Sequence, residues 1–210
     1  MILRLAIIAI TIVFFVRAEA ETKRVENPFF FMVSYGGSPS GKLNSEPFSA
    51  YGMSNMTATI RYSPTPQIEF EYGARKAWGL PVDVSVTATQ MKTPLRDYTL
   101  TFSPTPQGLH QTGIMNVYAL NFYYDMMSRS DWRIFFGGGL GWANFVGADA
   151  SGVSASLFTG VRYHFQPNSY AVFKLKAMTV PNSKVSIQGQ QFTLASQVMP
   201  SVNLGIGFDF

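Results

Sequence analysis

Charged and polar side chains recur at every second position along otherwise apolar segments, and that spacing limits the chemistry they can do. Glu69 and Glu71 are interleaved with Ile68, Phe70 and Tyr72, and Lys174 and Lys176 with Phe173, Leu175 and Ala177. Arg162 and His164 alternate with Val161, Tyr163 and Phe165, and Arg61, Arg75, Asn121, Asp125, Arg133, Asn203 and Asp209 fall into similar segments. Successive side chains of a strand point to opposite faces, so each segment has one apolar and one polar face. The polar faces together carry both signs. If the sheet closes with these faces inward, the charges must pair and hydrogen-bond, because isolated buried charge is not tolerated. Such a ladder is either the lining of a selective passage or structural fill. The interior of a small barrel is just wide enough for side chains, which favours fill.

Catalysis and metal binding find little support. The histidines are His110 and His164. Nucleophilic chemistry of the serine type needs a histidine that reaches a serine and is oriented by a carboxylate. Ser103, Gln111 and Thr112 flank His110 in sequence without an acidic residue close by, and His164 adjoins a tight turn. There is no cysteine, so disulfides and thiolate chemistry are excluded. No histidine–carboxylate cluster has metal-ligand spacing. Gly137, Gly139 and Gly141 alternate toward the polar face, where they either leave room for a Trp or Arg from across the interior or let the wall bend, and no helix start follows them as a phosphate cradle requires. No residue is therefore nominated as catalytic, cofactor-binding or metal-binding. With a net charge of +4, 13% charged residues and no basic stripe, the chain is not built for nucleic acid.

The elements that must position these residues are strands. Val202, Leu204, Ile206, Phe208 and Phe210 alternate with Asn203, Gly205, Gly207 and Asp209 up to the last residue. That pattern is how the closing strand of a membrane barrel reads, with its apolar face toward lipid and aromatics at the interface. Aromatics at 15% and 18 glycines agree with this. The aromatics Phe29, Phe31, Tyr35, Tyr62, Tyr72, Trp78, Tyr124, Trp132 and Trp142 read as lipid-facing or girdle residues. Trp78 could alternatively serve as a carbohydrate platform.

Reading strands at 29–36, 57–62, 68–75, 114–125, 132–145, 153–165, 170–180 and 202–210 gives short connections near 63–67, 126–131 and 166–169. Longer ones fall near 37–54, 76–112, 146–152 and 181–197. This is an all-β, transmembrane, antiparallel up-and-down β-barrel of eight strands, short-turned on one side and long-looped on the other. Ten strands is the alternative. Ser-Pro-Thr-Pro-Gln occurs at both 63–67 and 103–107, and Val82–Thr89 and Tyr98–Phe102 also alternate, so they form either an extra wall hairpin or a hairpin extended above the membrane.

At the other end, Met1-Ile2-Leu3-Arg4, an apolar run from Leu5 to Val16, and Ala18-Glu19-Ala20 make a secretory signal peptide of residues 1–20, cleaved near Ala20. The run is too short to span a bilayer as a helix. Residues 21–210 form the barrel domain.

Leu120-Asn121-Phe122-Tyr123-Tyr124-Asp125 followed by Gly137-Gly138-Gly139-Leu140-Gly141-Trp142-Ala143 resembles the paired motif of the OmpA-like outer-membrane β-barrel (porin) family, including its Rickettsiales-type surface antigens. Gly160-Val161-Arg162-Tyr163 and Gly205 through Phe210 fit the same pattern, whereas 76–112 departs from it. The resemblance implies an eight-stranded barrel at the Gram-negative cell surface. Insertion would be by the barrel assembly machinery, with Phe208 and Phe210 as the assembly signal and outer-membrane lipid as surroundings. It implies no separate peptidoglycan-binding domain and no cofactor. The His-x-Ser motif of lipid A deacylase barrels is absent from this chain. A non-enzymatic adhesin or surface antigen supporting envelope integrity is the leading expectation, with a host or extracellular ligand held by the loops. A narrow solute channel and a lipid-modifying enzyme are the alternatives.

Overall fold

The computed structural model describes residues 28–50, 53–77, 82–101, 103–126, 131–146, 151–187 and 190–210. In chain order the strands are β1 (Phe29–Ser38), β2 (Gly41–Asn44), β3 (Phe48–Ala50), β4 (Met53–Met56), β5 (Ala58–Tyr62), β6 (Thr65–Ala74) and β7 (Asp83–Leu100). There follow β8 (Ser103–Met126), β9 (Trp132–Val146), β10 (Ser151–Gln166), β11 (Ser169–Val180), β12 (Ser183–Ile187), β13 (Gln190–Leu194) and β14 (Gln197–Asp209).

Eight of these close a barrel. The antiparallel circuit runs β1–β14–β11–β10–β9–β8–β7–β6 and back to β1. At the seam Phe31 faces Phe208 and Val33 faces Ile206. Phe210 N–H donates to the Phe29 carbonyl at 2.9 Å, and Phe29 N–H donates back at 3.2 Å. Closure removes the exposed edges that an open sheet would present.

The count of eight stands, but its membership differs from the sequence reading. Segment 57–62 is not a wall strand: β5 runs collinear with β6, and both pair with β7, Tyr62 opposite Leu95 and Gln67 opposite Met91. Ser63-Pro64 is therefore a break in one descending path, not a reversal. Pro64 and Pro66 lack the N–H a ladder needs, and that loss reads like a turn in sequence. Ser63 N–H keeps the path aligned by donating to the Pro94 carbonyl at 2.9 Å. Nor is 76–112 a loop, because it supplies all of β7 and the first part of β8.

β8 meets β9 only from Ile114 to Met126, so its first part rises beyond the wall with the end of β7. There β2, β5, β7 and β8 continue as a sheet above the barrel. The second Ser-Pro-Thr-Pro-Gln run starts β8 on the open side of that sheet, where proline costs no ladder bond. The end carrying Phe29 and Phe210 is here the base, and the opposite end the rim. At the base, Lys76 adopts a left-handed φ of 45°, and its N–H donates to Asp83 Oδ1 at 3.0 Å.

Facing follows the period-2 pattern. Phe31, Phe70, Val86, Leu120, Phe122, Ile134, Phe136, Leu140, Leu157, Phe173, Leu175, Leu204 and Ile206 are exposed on the outer wall. Aromatics mark both borders of this belt. Near the base, Phe29, Tyr72 and Phe210 cluster with ring centroids 6.2–6.4 Å apart, and Trp132 meets Tyr163 at 4.6 Å. Tyr35, Tyr118 and Trp142 are exposed nearer the rim. Tyr62 is a correction: it is buried in the apolar cluster at the rim, because β5 turns that face inward. Trp78 lies outside the described residues.

Candidate functional site

The interior of the barrel is the candidate site, and it is filled in three tiers. Nearest the base, Arg75 Nη1 lies 2.6 Å from Asp83 and Nη2 lies 2.7 Å from Asp209. Arg162 Nη1 donates to both Asp125 oxygens, at 2.7 and 2.8 Å, and reaches Asp83 at 3.4 Å. The two guanidinium groups also lie over inward aromatic faces: Arg75 over Phe30 at 4.2 Å and Arg162 over Phe135 at 4.7 Å. These contacts give desolvated cations the partners that burial demands.

Above them, Lys174 Nζ donates to Glu69 at 2.7 Å, Glu71 at 2.9 Å and Tyr123 at 3.2 Å. Lys176 Nζ donates to the other Glu69 oxygen at 2.6 Å. Ser85 donates to Glu71 at 2.7 Å and Thr89 to Glu69 at 3.0 Å, while Gln67 donates to Asn203 and to Ser201. Removing any one of Glu69, Glu71, Lys174 and Lys176 would leave a buried charge uncompensated. Replacing the whole set with apolar groups would not, so the network specifies the arrangement more than it stabilises it.

Toward the rim the interior turns apolar. Met91, Met115, Val117, Met178 and Met199 are buried together with Leu43, Ala58, Ile60 and Leu194 from the segments that cover the opening. That cover joins the first and last rim segments. Glu46 N–H donates to the Thr193 carbonyl at 2.7 Å, Ala195 N–H to Asn44 at 2.9 Å, and Asn182 Nδ2 to the Glu46 carboxylate at 2.7 Å. Ala58 N–H adds a bond, donating to the Ser45 hydroxyl oxygen at 2.8 Å.

The structure places Glu69, Glu71, Arg75, Asn121, Asp125, Arg162, Lys174, Lys176 and Asp209 on the inward face. Arg133 is half-buried near the base and shares the inward parity of Phe135. Arg61 is a correction. It sits outside on β5 with its side chain 45% exposed, paired to Asp97 at 2.6 Å, because its neighbours Ile60 and Tyr62 point in. Phe208 and Phe210 project outward from the closing strand. Asp83, which ties the two guanidinium groups together, was missed with the rest of β7; the alternation of 82–89 was its signal. Tyr123, Phe135, Phe158 and Tyr170, the inward aromatics, were missed as well. The inward glycines make room for near neighbours rather than for a Trp or Arg from across the lumen. A Cβ on Gly137 would meet the Phe158 ring, and one on Gly139 the Asn121 amide.

The His164 ring lies 5.3 Å from that of Tyr170, tilted by 45°, with Nε2 3.8 Å from Asp209 and Nδ1 3.4 Å from the Asp131 carbonyl. This is a packed position at the base, inside the ionic tier. His110 lies on the part of β8 above the wall. Among the described residues no group of three or more His, Asp or Glu is placed to hold a metal ion, and no helix is long and apolar enough to cross a membrane. The latter says nothing against crossing by strands.

No family model matches the chain, and no curated protein matches it. Solved structures do. The outer membrane protein OprG from Pseudomonas aeruginosa is similar with a TM-score of 0.64 at 14% identity, over 88% of this chain and 97% of that one. Neisserial surface protein A (NspA) gives 0.54 at 12%, over 87% and 97%. The outer membrane protein AlkL, determined in DMPC lipid bilayers, gives 0.51 at 12%, over 92% and 96%. At these identities the likeness is one of fold: the chain shares the closed eight-stranded antiparallel β-barrel of these outer-membrane proteins.

Proposed function

We propose that this chain is an integral outer-membrane protein whose barrel serves as a closed anchor and whose rim segments act at the cell surface, as an adhesin or surface antigen that also supports the envelope. The observation that carries this reading is the filled interior. A lumen occupied by paired charges, inward aromatics and a methionine-rich apolar tier under a bonded cover serves rigidity, not flow. An apolar belt bordered by aromatics is what a lipid-embedded wall requires. In this reading the base faces the periplasm and the rim faces out. Residues 1–20 direct export, cleavage falls near Ala20, and the barrel assembly machinery recognises the closing strand with Phe208 and Phe210. Catalysis plays no part.

Loops on a rigid scaffold are where recognition concentrates. Specificity for a host or extracellular ligand therefore resides in residues 39–64, in 181–196 and in the raised tip of the β7–β8 hairpin. The test replaces 39–64 and 181–196 with short turns in the full chain. Cell attachment and antibody recognition should be lost while the folded barrel survives in the membrane; attachment that persists would overturn the adhesin reading. Planar-bilayer recording on the purified protein should remain at baseline, and steady unitary currents would favour a channel instead.

A further inference from the structure

The outer face changes character abruptly on one side of the barrel. Along β7 the outward residues are Val84, Val86 and Ala88, then Gln90 and Lys92, and the adjoining outward positions of β6 are Tyr72, Phe70 and Ile68. Gln90 Nε2 donates to Asn116 at 3.2 Å on the same surface, so the outer face of β7 turns polar at that level, while β8 still presents Ile114 opposite Lys92. Immediately above it the raised sheet presents Lys92, Arg96, Arg61 and Lys42, all exposed. Lys42 stands opposite Arg61, and Arg61 opposite Asp97, so Lys42 and Arg61 share one face; Lys92 has the outward parity of Gln90, and Arg96 is the exposed, unpaired residue where the register shifts between Leu95 and Asp97. Asp97 is the one carboxylate in this group and is engaged by Arg61 at 2.6 Å; Lys42, Lys92 and Arg96 form no ion pair among the described residues.

The inner face of the same sheet is spent on the apolar cluster at the rim, through Leu43, Ala58, Ile60 and Tyr98. It therefore holds the outer face in a fixed orientation. Elsewhere the wall differs: the outward residues toward the rim include Asn144 and Val146 on β9, Val153 on β10, Thr179 on β11 and Val198 on β14, none of them charged. The basic surface is therefore local, and the wall continues directly into it.

We infer that the outward face of β2, β5 and β7 binds the phosphate groups of anionic lipid in the leaflet at the rim. The charge complementarity is that of cations just past a hydrocarbon boundary, where each is drawn to an anionic membrane surface. Position selects the lipid-borne phosphate over a soluble polyanion: the same strands enter the bilayer immediately below, so a lipid whose acyl chains lie against Val86 and Phe70 carries its phosphate to the level of Lys92 and Arg61. The inference rests on the membrane reading above.

Full-length mature protein in neutral detergent would be titrated with lipid A, with phosphatidylcholine and with inorganic phosphate, and binding read by native mass spectrometry. Wild type should hold lipid A at least tenfold more tightly than phosphatidylcholine, and K42Q/R61Q/K92Q/R96Q should lose that preference while keeping heat-modifiable migration. If the quadruple variant does not fold, K92Q/R96Q should still lose about half of the preference on a logarithmic scale. Equal lipid A retention by wild type and either folded variant would overturn the inference, as would inorganic phosphate competing the lipid away at equal concentration. Failure of wild type to insert into vesicles would instead overturn the membrane reading, a separate result.

Discussion

Lys174 on β11 reaches Glu69 on β6 across the lumen at 2.7 Å, a contact between residues 105 positions apart in the chain. The same ammonium bonds Glu71, and Glu69 also holds Lys176, so four charges from two strands that are not neighbours in the wall lock one another. No strand–strand ladder enforces this relation. It forms only when the wall has closed, and so it reports closure.

Lys174→Met should therefore be far more harmful than its apolar character suggests. It leaves Glu71 without its cation in a dry site, a defect costing about 3–5 kcal/mol in comparable buried pairs. K174M/E71Q removes the matching charge and leaves Glu69 with Lys176, so it should recover most of that loss. Urea unfolding of the reconstituted protein, followed by heat-modifiable migration, measures both. A double variant no better than the single would refute the paired-charge account.

Legibility in the sequence followed periodicity closely. β9, β10, β11 and β14 alternate without interruption, and they were readable to within a few residues together with the inward placement of Arg162, Lys174 and Lys176. The closing pair was readable too, since β14 ends on alternating aromatics and β1 begins with Phe29. The first half hid itself for a specific reason. Proline interrupts hydrogen bonding whether or not the chain reverses, so Ser63-Pro64 reads as a turn, which makes 57–62 a wall strand and 76–112 a loop while 29–36, 68–75 and 114–125 keep their places. Asp83 was lost with that shift and Arg61 was put inside. The inward aromatics follow from the same parity: Phe122, Tyr124 and Phe136 outward put Tyr123 and Phe135 inward, and Gly160 beside Phe135 and Gly137 beside Phe158 leave two of the rings their room.

The seam between β1 and β14 makes a direct test of closure. Val33 and Ile206 are register partners, and antiparallel partners lie about 4.5–5.5 Å apart at Cα, within the span a disulfide bridges. The native chain has no cysteine, so V33C/I206C supplies the one available pair. Folded protein should cross-link on mild oxidation and run as a compact band after boiling without reductant. Protein oxidised in urea should not, and V33C/L204C, two residues out of register on the same face, should react much more slowly.

Gly207 is required by its neighbour rather than by its backbone. A Cβ there would enter the Tyr170 ring, and Tyr170 is fully buried beside the Arg75 and Arg162 guanidinium groups. Gly207→Ala should therefore destabilise by about 1–3 kcal/mol, the usual effect of overpacking. Tyr170→Leu alone should also destabilise by removing the ring. The double variant G207A/Y170L should be less unstable than the two effects added, because the clash is gone. Strict additivity in a double-mutant cycle would show that the two sites do not touch.

The rim cover should open independently of the barrel. Its apolar anchor is Leu194, 6% exposed, packed in the cluster with Leu43 and Ile60, while the wall beneath keeps its ladders without it. Truncating a buried leucine to alanine costs about 2–5 kcal/mol, and here that loss falls on a unit held otherwise by a few backbone bonds such as Glu46 to Thr193. Local opening frees the backbone beside the exposed Lys42, Arg61 and Lys184 to enter the trypsin site, and cleavage tracks the population of the open form. Trypsin treatment of intact cells should accordingly cut Leu194→Ala at these positions at least tenfold faster than wild type. Boiled and unboiled samples of uncut protein should still migrate apart in both. Equal cleavage rates would mean that Leu194 does not hold the cover, and loss of heat-modifiable migration would mean that cover and barrel fold as one unit.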